Sequence, residues 1–138
     1  MKTKRTTTPR AGLLGLLLSF GLATNALADE IYIEVAPNVL NLQSEGYIVT
    51  VHTDISYGRV DVYSVYLNDV PIHSWKADNR GFFVAKFLMD EIQALEGLVI
   101  DGENELQLVG ATIDVPAETF SGTDWVWVVD NLPVKGGK

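Results

Sequence analysis

Cysteine is absent from the 138 residues, so thiol nucleophiles and thiolate metal ligands drop out at once. Only two histidines are present, His52 and His73. Zinc takes three or four ligands, so a zinc site would need both histidines to converge with a carboxylate. Spacing alone cannot show such convergence, and they read as solvated strand residues, with no metal and no cofactor expected. No serine stands in a Gly-x-Ser-x-Gly elbow. A serine–histidine–acid triad assembles in space, and nothing local nominates its members here. Eighteen acidic residues make carboxylate pairs commonplace, and Asp90-Glu91 reads as a solvated helix face. No catalytic residue is nominated, and no enzyme activity is expected.

The tryptophans carry more. In Asp124-Trp125-Val126-Trp127-Val128-Val129, strand alternation sends Trp125 and Trp127 to one face and Val126 and Val128 to the other. If the valines point inward, two indoles stand side by side outside. Contiguous exposed aromatics mark binding surfaces, and flat indoles can stack on sugar rings or against a partner strand. If the tryptophans point inward, or if both faces are covered, the segment is core. Both arrangements fit the sequence. Trp125 and Trp127 are the candidate binding residues, and Trp75, Tyr63 and Tyr66 extend the patch only if their strands are neighbours.

These residues need a scaffold and a compartment. Met1–Arg10 is basic, Ala11–Ala23 is apolar, and Ala26-Leu27-Ala28 matches the small-x-small pattern that precedes signal-peptide cleavage. An apolar core of about 13 residues falls short of the roughly 20 needed to span a bilayer. The expected boundaries are a cleaved leader over 1–28, one domain over 29–132 and a loose tail over 133–138. No cysteine follows the leader, which excludes a lipid anchor, and no arginine pair precedes its core. Export by the general secretory route to the periplasm or the medium is expected, with no membrane insertion after cleavage.

The whole chain carries a formal charge of −8. With the leader's Lys2, Lys4, Arg5 and Arg10 set aside, six basic residues face eighteen acidic ones, a net charge of −12. Nucleic-acid binding needs a basic footprint, so it is excluded. Self-repulsion at this charge favours a soluble monomer. Without disulfides, stability must come from a hydrophobic core, and a domain of about 110 residues can build one.

The mature segment reads as short strands. Ile31–Val35 alternates and is interrupted by Pro37 and Asn38 before Val39–Leu42. Tyr47–Ile55 puts Tyr47, Val49, Val51 and Ile55 on one face. Val60–Leu67 and Val70–Trp75 flank the turn pair Asn68-Asp69. Gly81–Phe87 aligns Phe83, Ala85 and Phe87. Leu88–Glu96 breaks the pattern: Leu88, Ile92 and Leu95 follow a helical period, and Gly97 is placed to terminate it. Gly97–Ile100 is expected to lead into a strand, 101–104 to turn, and Glu105–Ile113 and Asp124–Asp130 to form the last two strands. Seven or eight strands with one short helix predict an all-β sandwich.

Several pieces recur in order. They are Ile31-x-Ile33 with Pro37, Leu40-Asn41-Leu42-x-Ser44-x-Gly46, Val60-Asp61-x-x-Ser64-Val65-x-Leu67-Asn68, Leu106-x-Leu108-x-Gly110 and Phe120-x-Gly122-x-Asp124-x-Val126-x-Val128. On these pieces the chain resembles secreted bacterial modules with an immunoglobulin-like β-sandwich fold. The resemblance implies an accessory, spacer or interaction module. It also implies apolar residues at the Val126 and Val128 positions, with tolerance at the tryptophan positions. Typical members carry a D-x-N-x-D-G loop that looks built for calcium. Here the loop reads Asp78-Asn79-Arg80-Gly81, with Arg80 where a carboxylate would be wanted, and calcium's six to eight oxygen ligands are not on offer.

The expected function is therefore a secreted or periplasmic non-enzymatic interaction or structural module with an unknown protein or glycan partner. The alternative is a carbohydrate-binding module stacking sugars on Trp125 and Trp127.

Overall fold

The computed structural model describes residues 28–131; the expected leader 1–28, apart from Ala28, and the expected tail 133–138 lie outside the described residues. Alternation decides much of the architecture, since in β2, β4 and β9 the buried positions recur at every second residue. In chain order the strands are β1 (Asp29–Glu30), β2 (Ile33–Ala36), β3 (Val39–Asn41), β4 (Ile48–Ser56), β5 (Val60–Leu67) and β6 (Val70–Pro71). They continue with β7 (Ser74–Ala77), β8 (Phe82–Leu88), β9 (Gly102–Thr112) and β10 (Thr119–Val129), with helix α1 (Met89–Gln93) between β8 and β9. Segments β1 to β3 follow one another with short breaks, as do β6 and β7, so the strand segments amount to seven passes across the molecule.

Two sheets result. One runs β2-β4-β8-β7, and the other runs β1-β10-β9-β5-β6, with β3 also pairing to β10. Counting passes as A to G, the sheets hold A-B-E-D and C-F-G, the immunoglobulin constant-type division. The fold is an all-β immunoglobulin-like sandwich. Facing side chains such as Val51, Phe83, Phe87, Leu67, Leu106, Leu108, Phe120 and Val128 are fully buried between the sheets.

The N-terminal pass starts in one sheet, crosses to the other and returns. Asp29 and Glu30 pair in parallel with Phe120 and Ser121. Ile33–Ala36 pairs instead with β4, and Val39–Asn41 comes back to pair with Trp127–Val129. The expected strand Ile31–Val35 is thus split, because Ile31 stays with β10 while Ile33 and Val35 turn into the core. The crossing is tight at Gly122, where an added Cβ would lie 2.7 Å from the Ile31 carbonyl oxygen. A side chain there would push the crossing strand off the sheet.

Other expectations shift in detail. Asn68 and Asp69 both take positive φ (45° and 70°), as a tight hairpin turn demands. Val70–Trp75 is two strands, since the chain leaves β5 at Pro71 and joins β8 from Ser74. Tyr47 precedes β4 and is exposed, leaving Val49, Val51, Thr53 and Ile55 as its inward set. Helix α1 is shorter than the expected span, with Ile92 fully buried and Gly97 at φ +83°. It carries the chain from one sheet to the other.

Residues Gly97–Ile100 form turn and irregular backbone, not a strand. The buried Asn104 side chain explains this: it accepts from Val99 N–H and donates to the Val99 and Gly102 carbonyls. Having made that turn upstream, the chain is already in β9 at Gly102, three residues before the expected start. At the far end of the same hairpin, β10 starts at Thr119, five residues before the expected Asp124.

Candidate interaction surface

Strand β10 lies between β9 on one side and the short segments β1 and β3 on the other. Its inward residues are Phe120, Gly122, Val126 and Val128, the two valines at 1% and 0% exposure. Trp125 and Trp127 therefore point out, at 53% and 43% exposure. They are two residues apart on one strand, so their Cβ atoms sit roughly 7 Å apart on the same face.

The neighbours across the sheet are acidic. Antiparallel pairing sets Glu105 opposite Trp125 and Glu103 opposite Trp127, and both glutamates are exposed. Directly opposed side chains in such a ladder have Cβ atoms about 5 Å apart. On the other flank Val39 of β3 stands opposite Trp127 and is also exposed. The surface is thus a double row, indoles on β10 and carboxylates on β9.

Asp124 holds this row in place. Its Oδ2 accepts from Val35 N–H at 2.8 Å, and its Oδ1 accepts from Trp125 N–H at 2.8 Å. One carboxylate thereby satisfies an edge amide of each sheet exactly where the N-terminal pass has left β10 unpaired. Nothing local in the sequence signals this role, because Val35 is 89 residues away.

Trp75, Tyr63 and Tyr66 do not join the patch. Trp75 belongs to the other sheet, packs against the core and meets the Tyr63 ring edge-on at 5.5 Å. Tyr66 shares the outer face of the six-stranded sheet, but it pairs with Val109 and is separated from β10 by β9. The sequence leaves open which face of β10 is inward. The signal that decides it was the alternation of Glu103, Glu105 and Gln107 with buried Leu106 and Leu108, read together with the β9–β10 pairing.

His52 and His73 stay apart. His52 lies on β4 opposite Glu34, on one side of β8. His73 lies on the other side of β8, donating its backbone N–H to the Lys86 carbonyl and packing edge-on against Tyr47. Among the described residues, no group of three or more His, Cys, Asp or Glu side chains is placed to hold a metal ion.

The Asp78–Gly81 loop closes on itself. Asp78 Oδ1 accepts from Arg80 N–H at 2.8 Å and Phe82 N–H at 2.9 Å. The Phe82 amide, chiefly, then the Arg80 amide and guanidinium, hold the Asp78 carboxyl below its ordinary pKa. Arg80 itself lies over the Phe82 ring, 5.1 Å from its centroid. At the end of the β9–β10 hairpin far from the tryptophans, Arg59 bonds Asp114 at 2.8 Å and Glu118 at 3.3 Å. The Arg59 hydrogen bond lowers the Asp114 pKa.

No protein-family model matches the chain, and no curated protein matches it either. Two solved structures are similar to it. One is a bacterial immunoglobulin-like domain from the M. primoryensis ice-binding adhesin, 17% identical, with a TM-score of 0.47. The match covers 75% of this chain and 99% of that one. The other is described as giving structural insight into host cell surface retention of a 1.5-MDa bacterial ice-binding adhesin. It is 18% identical with a TM-score of 0.47, and covers 78% of this chain and 34% of that one.

Proposed function

We propose that the chain is an exported, non-enzymatic β-sandwich module that works by contact. Its contact surface is the outer face of the six-stranded sheet around Trp125 and Trp127. The observation that carries the reading is the division within β10: Val126 and Val128 fill the core while both indoles stay in water. Neither indole is needed to close the core, and keeping two large aromatic side chains adjacent and exposed favours association. A hydrolytic reading finds no support, since His52 and His73 flank β8 separately. The export reading rests on the leader pattern, and β1 begins at Asp29, immediately after the expected cleavage point.

The test follows indole emission while the mature chain is titrated with soluble glycans and with short extended peptides of neutral, acidic and basic composition. A saturable change with one ligand class, lost in the Trp125→Ala/Trp127→Ala variant at unchanged melting temperature, is the expected result. A response that survives in the double variant, or none across the panel, would overturn the reading.

A further inference from the structure

We infer that the partner taken by the Trp125–Trp127 face is a cationic polypeptide segment in extended conformation, with lysine or arginine at alternate positions. The inference rests on the interaction reading above and adds the chemistry of the partner.

Charge is distributed unevenly over the molecule. The described residues include four basic side chains, Arg59, Lys76, Arg80 and Lys86. Arg59 is tied to Asp114 and Glu118 at the far end of the hairpin, and Arg80 sits over Phe82 near Asp78. Lys76 and Lys86 lie in the other sheet, opposite Val84 and Ser74 respectively. No basic residue among those described lies on β9 or β10. Glu103 and Glu105 therefore face outward without a cation on their own or the adjoining β10 strand.

Their placement opposite the tryptophans gives each carboxylate an indole as its cross-strand neighbour. An indole face attracts a cation, and a nearby carboxylate supplies a charge-assisted hydrogen bond to the same group. Two such pairs repeat along the sheet at the two-residue spacing of a strand, roughly 7 Å. An extended peptide presents every second side chain at that same interval. Arginine or lysine at positions i and i+2 would thus meet the Trp125–Glu105 and Trp127–Glu103 pairs in turn. An anionic partner would be repelled by the two carboxylates, and a neutral one would leave them without a counter-charge.

The mature chain is titrated with an eight-residue peptide alternating arginine and serine, followed by indole emission and calorimetry. A peptide of equal composition with its arginines paired in blocks, and an alternating glutamate–serine peptide, serve as controls. The alternating basic peptide is expected to bind saturably and more tightly than the block peptide, with affinity falling between ~50 and ~150 mM salt. Trp125→Ala/Trp127→Ala and Glu103→Gln/Glu105→Gln should each weaken it about tenfold or more. Glu118→Gln, at the far end of the hairpin, should not.

Equal binding by all variants would mean attraction to bulk negative charge alone and would overturn the inference. Equal affinity for alternating and block peptides would overturn its spacing. Indole perturbation by a neutral glycan or a neutral peptide, without any response to the basic peptide, would overturn the cationic partner and leave the contact surface standing. Indoles silent to every ligand would remove both.

Discussion

Asp124 is where a single side chain does most to hold the candidate surface. It bridges the amides of Val35 and Trp125 across the gap between the sheets. Asparagine keeps the size but turns one acceptor into a donor facing an N–H. Asp124→Asn should therefore lower stability by about 1–2 kcal/mol, read from urea unfolding. Asp78 carries a different prediction. Its folded-state pKa is depressed, first by the Phe82 amide. Its stabilising effect is thus complete above the unfolded carboxyl's pKa of about 4, and is lost as pH falls through the folded value. Melting temperatures of wild type and Asp78→Asn, measured from about pH 6 down to about pH 2, should converge as the acid is added. The Asp124 role depends on an amide 89 residues away that no local pattern announces, whereas Asp78 acts on amides two and four residues on. The turn at Asp78–Gly81 was legible from its composition, but the closure of Asp78 onto the Phe82 amide was not.

At the scale of the strand, β10 separates two kinds of apolar residue that hydropathy treats alike. Val126 and Val128 are sealed in the core, and each change to alanine should cost about 2 kcal/mol in chemical denaturation. Trp125→Ala or Trp127→Ala should cost about 1 kcal/mol or less, although the side chain removed is far larger. If the tryptophan changes prove the costlier pair, the assignment of faces is wrong. Alternation in β4 and β10 was readable because each strand buries one face, whereas β8 also buries Val84 on its other face. The breaks were less so: Pro37 marks an interruption but not the change of sheet beside it, and the break after Pro71 inside the expected Val70–Trp75 was not read. The start of β9 was misread because Asp101-Gly102-Glu103-Asn104 has turn composition. Asn104 spends that chemistry on the preceding turn from inside the strand.

For the whole molecule, the sequence conveyed a disulfide-free sandwich of seven or eight strands with one connecting helix, and the structure has that form. Strand partners were beyond it, because pairings such as β1 with β10 join residues some ninety positions apart. Glu103 and Glu105 were consequently never placed beside the tryptophans, although all four are plain in the chain. The account's central claim is that two of the three indoles are surface and dispensable to the fold. Acrylamide quenching of the mature chain, set against Trp125→Ala/Trp127→Ala, tests it most directly, since the variant retains only Trp75, which packs against the core. Strong quenching of the wild type, weak quenching of the variant and nearly equal melting temperatures are predicted. Equal shielding of both proteins, or a loss of about 3 kcal/mol or more in the variant, would make the indoles core and contradict the account.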